Sequence, residues 1–179
     1  MRRVQDVAGQ PLEWARPALL RSEYELRAPA EEVVATLRWP SSFRSLAEAD
    51  AADGSWTFKR AGFLRPRVTI RVAGSDEDLG TFRPEWTGNG VLTLEGARPP
   101  RWAASNFLRT RFFAWEDEGG DPLVSFRVRT LKAGADVEVA PAARSLGSLS
   151  LLVLLGWYLA VSEQNDDAGA SASFSGSYS

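Results

Sequence analysis

The chain has 179 residues, 44% of them hydrophobic with seven Trp and nine Phe, which is the length and apolar content of one domain with a sizeable core. Its formal net charge of -2 excludes the strongly basic balance of a dedicated nucleic-acid binder. Cysteine and histidine are both absent, so disulfides, thiolate nucleophiles and Cys- or His-built metal sites are excluded, together with the commonest general base near neutral pH.

Apart from Lys59 and Lys132 the basic residues are arginine, and alanine is abundant, a usage typical of GC-rich bacterial genomes. Arg2 and Arg3 are followed by no apolar stretch of about 7–15 residues, so no secretory or twin-arginine signal is expected and the expected location is cytoplasmic.

In chain order, residues 1–22, with Pro11 and Pro17, show no sustained period and read as an arm packed on the domain. Tyr24, Leu26 and Ala28 then alternate with Glu23, Glu25 and Arg27, and Val33 to Trp39 forms a second run stopped by Pro40. Ser41 to Asp53 reads as a short helix or a long connection. Trp56 and Phe58 open a strand. In the next, Val68, Ile70 and Val72 share one face and Arg67, Thr69 and Arg71 the other, the pattern of a sheet buried on one side and wet on the other.

Gly74–Asp78 is a turn, Leu79 to Phe82 a short strand, and Gly88-Asn89-Gly90 a second turn, too short for a phosphate loop. Val91 to Glu95 follows, then strands marked by Trp102 with Phe107 and by Phe112, Phe113 and Trp115. From Pro122 to Thr130, Val124, Phe126 and Val128 alternate with Ser125, Arg127 and Arg129, and Val137 and Val139 close the β region. About ten short segments separated by turn residues, with no helix-sized crossover among them, predict a barrel or sandwich.

Residues 146–161 are apolar around the whole circumference of a helix from Leu151 on, Tyr158's hydroxyl excepted, so this helix must be buried in protein or in lipid. Its densest part spans only ~20 Å at ~1.5 Å per residue, against the ~30 Å core of a bilayer. A barrel of more than about eight strands is too wide for its wall side chains to fill, and this helix is the natural plug. Gly156 and Ala160, four apart, offer a face for close approach. The alternative is a tail anchor built from 146–161.

Aromatic strands followed by a hairpin, a final strand and a last apolar helix resemble the tubby C-terminal domain and its relatives, the phospholipid scramblases and LURP-one-related proteins. The resemblance covers about residues 24–161, and its most specific pieces are Trp115–Val124 and Leu151–Leu159. It implies a mainly β fold: a closed antiparallel barrel of about twelve strands enclosing a C-terminal helix. The domain layout expected is an arm over 1–22, the barrel over 23–162 and a disordered tail over 163–179. The chain lacks the cysteine-rich palmitoylation segment and the calcium loop associated with scramblases, and no tubby-type lysine–arginine cluster can be aligned onto it.

The arginines are the candidate ligand-binding residues: Arg65, Arg67 and Arg71 on one strand face, Arg109 and Arg111 on another, Arg127 and Arg129 on a third. Were these strands neighbours, the guanidinium groups would form a surface for bidentate phosphate contact. The competing reading is a solvated outer face whose arginines offset nearby carboxylates. The acidic runs Asp76–Asp78 and Glu116–Asp121 do not match a calcium loop and read as solvated turns. Trp86, Trp102 and Trp115 are expected in the wall, packed on the helix. No serine has a histidine partner and no Ser-x-x-Lys pair exists, so no catalytic residue, metal or cofactor is expected. The expected function is a non-catalytic binding module for anionic phospholipid headgroups or a protein partner, without nucleic acid and with at most peripheral membrane contact. The rivals are the tail-anchored protein and an enzyme of unknown class.

Overall fold

The computed structural model describes residues 1–17, 22–40, 45–62, 66–95, 100–107, 110–129 and 134–174. A short helix α1 (Val4–Val7) precedes β1 (Leu12–Ala15), β2 (Glu23–Ala28), β3 (Glu32–Arg38), β4 (Leu46–Ala51), β5 (Gly54–Ala61) and β6 (Arg67–Val72). Then come β7 (Asp78–Pro84), β8 (Gly90–Leu94), β9 (Arg101–Phe107), β10 (Thr110–Glu116), β11 (Pro122–Arg129), β12 (Gly134–Val139) and α2 (Leu149–Phe174). Each strand pairs antiparallel with its neighbours in sequence, and β1 pairs with both β2 and β12, which closes the ring. The protein is a closed antiparallel barrel around an apolar C-terminal helix, the fold class expected from strand spacing and from the last apolar segment.

Three local expectations are corrected. The arm over 1–22 supplies the closing strand: Leu12 and Trp14 of β1 point inward and are buried, Glu13 points out. Four residues between two prolines are too few to display a period, so the strand is invisible until β12 and β2 flank it. The helix or connection over Ser41–Asp53 contains β4, whose inward residues Ala47 and Ala49 are buried but too small to announce an apolar face; residues 41–44 lie outside the described residues. Finally, α2 begins at Leu149 rather than at 146 and continues to Phe174, so the tail expected to be disordered from 163 is helical as far as it is described.

The helix fills the ring. Leu149, Leu152, Val153, Leu154, Leu155 and Ala160 are fully buried, on every side of the helix. Each of the leucines and Val153 contributes roughly 1.5–3 kcal/mol relative to exposure. Trp14 stacks on Trp157 with centroids 5.9 Å apart, and Tyr158 meets Trp39 at 5.8 Å and Phe58 at 5.4 Å. Gly156 passes the wall so closely that a Cβ there would stand 2.4 Å from Phe126 Cζ and 2.9 Å from Trp115 Nε1. That clearance lets the Trp115 indole N–H donate to the Leu152 carbonyl oxygen at 2.8 Å. The segment of the tail-anchor alternative is thus enclosed by the wall, and no helix among the described residues is long and apolar enough to cross a membrane.

The two ends of the barrel differ. Where α2 starts, α1 lies across the opening with Val4, Val7 and Ala8 buried, and Gln5 Nε2 donates to the Leu146 carbonyl oxygen at 2.8 Å. Ser150 Oγ, itself buried, donates to Asp53 Oδ2 of the β4–β5 turn at 2.9 Å. At the opposite end, the mouth, the helix emerges: Ser162 to Gln164 are half-buried and Asn165 and Asp166 are exposed. Among the described residues the wall has a thin seam, since β8 and β9 share there only the pairs Gly90↔Trp102 and Val91↔Arg101.

Candidate anion site at the barrel mouth

Antiparallel order brings the ends of the odd strands and the starts of the even ones to the mouth. An arginine stands at or next to that end of β1 (Arg16), β3 (Arg38), β5 (Arg60), β6 (Arg67), β7 (Arg83), β10 (Arg111) and β11 (Arg129). The turns at the closed end are acidic instead, with Glu31, Asp53, Asp76–Asp78 and Glu116–Asp121. One of these carboxylates works locally, as Asp117 Oδ1 accepts from the N–H groups of Gly119 at 2.8 Å and Asp121 at 3.0 Å. Among the described residues no group of three or more acidic side chains is placed to hold a metal ion.

Strand parity sorts the mouth arginines by face. Arg60 shares the inward face with Trp56 and Phe58, and Arg111 with Phe113 and Trp115, so both belong to the inner face, and Arg60 reaches Asp166 of α2. Arg16, following the inward Trp14 by two, reaches 5.9 Å from the centre of the Tyr24 ring. Arg38, Arg67, Arg83 and Arg129 face outward.

Most of these cations are matched. Arg38 bonds Glu48 at 2.7 Å, Arg60 bonds Asp166 at 2.6 Å, and Arg129 bonds Glu13 at 2.9 Å with Asp136 at 3.6 Å. The exception is the outer face of β5, β6 and β7. The register Val68↔Phe82 sets Arg67 opposite Arg83 one step nearer the mouth, and Lys59 lies on the same outer face two residues from the end of β5. All three are exposed, and none has an ion pair or hydrogen bond among the described residues. Like charges set opposite one another across strands are destabilising unless something neutralises them.

The sequence-predicted arginines are therefore not one surface. Arg65 and Arg109 lie outside the described residues. Arg67 belongs to the unmatched cluster, but Arg71 stands ~13 Å further along β6, at the closed end, bonded to Asp78 at 2.7 Å. Four strand steps around the ring, from β6 to β10, separate them from Arg111, which points inward. Arg127 lies on the outer face over the Phe112 ring at 5.2 Å, beside Asp136 and Glu138, and Arg129 is held by acids. Period-two patterning shows which arginines share a strand face, but neither which strands adjoin nor where their acidic partners fall. Arg83 and Lys59 were missed for that reason: Arg83 is the one cation of β7, and Lys59 stands on the opposite face of β5 from its neighbour Arg60.

The expectation for the tryptophans holds for Trp102 and Trp115, which are buried and 4.9 Å apart, and fails for Trp86. Trp86 is 97% exposed on the β7–β8 turn, three residues beyond Arg83. The turn cannot carry it inward: the Glu85 N–H donates to the Asn89 carbonyl oxygen at 2.8 Å, and Gly88 turns the chain at φ +85°. Asn89 Oδ1 accepts from the Ala104 N–H at 3.1 Å, fixing this turn against β9.

Two clefts flank the emerging helix. One, of about 490 Å³, has Phe82, Trp102 and Leu159 as its floor and Arg60, Trp86, Glu163 and Asp166 at its rim. The other, of about 380 Å³, lies between Arg16, Tyr24, Trp39, Val161 and Asn165. Tyr158, beneath them, is pushed up to about 12 by burial, opposed by a hydrogen bond with Ser162 and by the nearby Arg60 charge. It is therefore a neutral hydroxyl rather than a base at physiological pH.

No protein-family profile matches this sequence, and no curated protein matches it. In three dimensions the chain is similar to a protein of Arabidopsis thaliana known from an X-ray structure. The TM-score is 0.57, with 90% of this chain and 96% of that one covered at 10% sequence identity, a likeness that shows a shared fold and nothing more.

Proposed function

We propose that this chain is a bacterial member of the tubby, phospholipid scramblase and LURP-one-related superfamily and acts as a non-catalytic binding module for anionic phospholipid headgroups at the mouth of its barrel. The observation that carries the reading is the unmatched outer cluster of Lys59, Arg67 and Arg83, where the pairing of cation with carboxylate seen elsewhere on the wall breaks down. An anion from outside completes such a site, and guanidinium groups suit phosphate oxygens. Trp86 supports a membrane surface as the source, because an exposed indole beside cations favours the headgroup layer. Each basic residue near an anionic leaflet contributes about 1 kcal/mol, so the contact is peripheral and reversible. The protein then works at the cytoplasmic face without a cofactor.

Flotation with vesicles of phosphatidylcholine, with and without phosphatidylglycerol, tests this. Recovery is expected only with the anionic lipid, falling as salt shortens the screening length from ~10 Å at 0.1 M. Arg67→Glu with Arg83→Glu is expected to lower affinity on the order of tenfold or more. Equal recovery on both vesicles rejects the function. Equal affinity of the double variant rejects the site.

A further inference from the structure

We propose that the acidic turn on which α2 leaves the barrel is an internal anion seated on the mouth, so that this turn and an anionic membrane surface exclude one another. The inference rests on the function proposed above and adds its regulation.

The helix changes character at one point. Through Val161 it is buried and apolar, and from Ser162 onward it is polar, with Asn165 and Asp166 exposed. Its emergent turn is thus tied to the wall by charge rather than by apolar burial. Asp166 Oδ2 accepts from Arg60 Nη1 at 2.6 Å, and Glu163 Oε1 lies 3.8 Å from where a Cβ on Gly88 would stand, over the turn that carries Trp86. Both acids border the cleft whose other walls come from the strand ends bearing the unmatched cations: Val68 follows Arg67, and Pro84 follows Arg83. A carboxylate therefore already occupies the inner side of the rim that a headgroup approaches from outside.

The strengths are comparable. The Arg60 and Asp166 side chains are 41% and 56% exposed, so solvent reaches the pair and a competing anion can replace the carboxylate. An exposed pair of this kind shifts an equilibrium by only about two- to fivefold, roughly what one basic residue gains at an anionic surface. A latch of that strength holds the turn in the absence of lipid and yields to it. By linkage, what the turn takes from lipid affinity, lipid takes from the turn.

The full-length chain and vesicles of phosphatidylcholine with phosphatidylglycerol test the latch. Asp166→Asn is expected to bind about two- to fivefold tighter than the parent, with an unchanged Tm because the site is exposed. Affinity equal to or below the parent's overturns the proposal. A second measurement leaves the latch intact: the absence of cysteine makes Asn165→Cys a unique position for a nitroxide label. Its spectrum is expected to sharpen on anionic vesicles and stay unchanged on neutral ones; no change on anionic vesicles that demonstrably bind the protein overturns the latch. If the parent itself fails to discriminate anionic from neutral vesicles, the binding function falls and the latch with it. If the parent discriminates and Asp166→Asn does not tighten, the latch alone falls.

Discussion

At Gly156 two preferences of a single residue oppose each other. Alanine is the better helix former by about 1 kcal/mol, yet its Cβ would sit 2.4 Å from Phe126 Cζ and 2.9 Å from Trp115 Nε1, both in fully buried rings. Overpacking a rigid core costs about 1–3 kcal/mol or more, and the Trp115 bond to Leu152 is lost besides. Gly156→Ala is therefore expected to destabilise by a net ~1–3 kcal/mol, read as a lower urea midpoint at constant slope. Tyr158 sets an alkaline limit. Burial holds its folded pKa at about 12, against about 10 in the unfolded chain, so the folded state keeps a proton that the unfolded state gives up. Its contribution is fully present below about pH 10 and is lost by about pH 12, ~2–3 kcal/mol in all. Tyr158→Phe should flatten this limb of the stability curve; an unchanged alkaline slope would refute the assignment. Single residues also mark how far the primary structure could be read. The inward face of Arg111 follows from its parity with Phe113 and Trp115, whereas the exposure of Trp86 depends on a turn whose geometry its neighbours do not spell out.

At the scale of elements, legibility follows strand length and side-chain size. β6 and β11 announce themselves because branched or aromatic residues alternate with arginine, Thr69 or Ser125 within strands of six and eight residues. β1 is four residues long and β4 faces inward with alanines, so each is recognisable only from the partners that flank it. The same pairing predicts where the wall opens. Among the described residues β9 is paired with β10 at seven positions but with β8 at two. Local opening follows the ladder with fewest bonds. Amides of β8, and those of β9 that face it, should exchange with deuterium faster than those of β10 and β11 in native conditions, while Leu152 to Ala160 of α2 exchange slowest. Uniform protection around the ring would contradict this reading of the seam.

For the whole molecule, the apolar segment near the C-terminus was the most informative stretch of sequence, because all-round burial and a length short of a bilayer leave a protein interior as its place. What could not be read was the arrangement of charge, which depends on strand order and register: matched ion pairs over most of the wall, acidic turns at the closed end and unmatched cations at the mouth. Removing residues 146–179 tests the architecture. A ring of twelve strands has no other filling, so the truncated chain should lose cooperative unfolding and near-ultraviolet dichroism, whereas retention of both would mean that the strands collapse onto themselves.

The position of that filling within the chain also has a biosynthetic consequence. β1 emerges from the ribosome before the other strands, yet both it and the hollow interior wait for β12 and then α2, which follow all of them in the chain. Until those arrive, a nascent polypeptide displays the inward faces of eleven strands with nothing to cover them, which invites capture by holdase chaperones. A circular permutant encoding the helix ahead of the strands should be released from the ribosome with less chaperone assistance than the natural order requires.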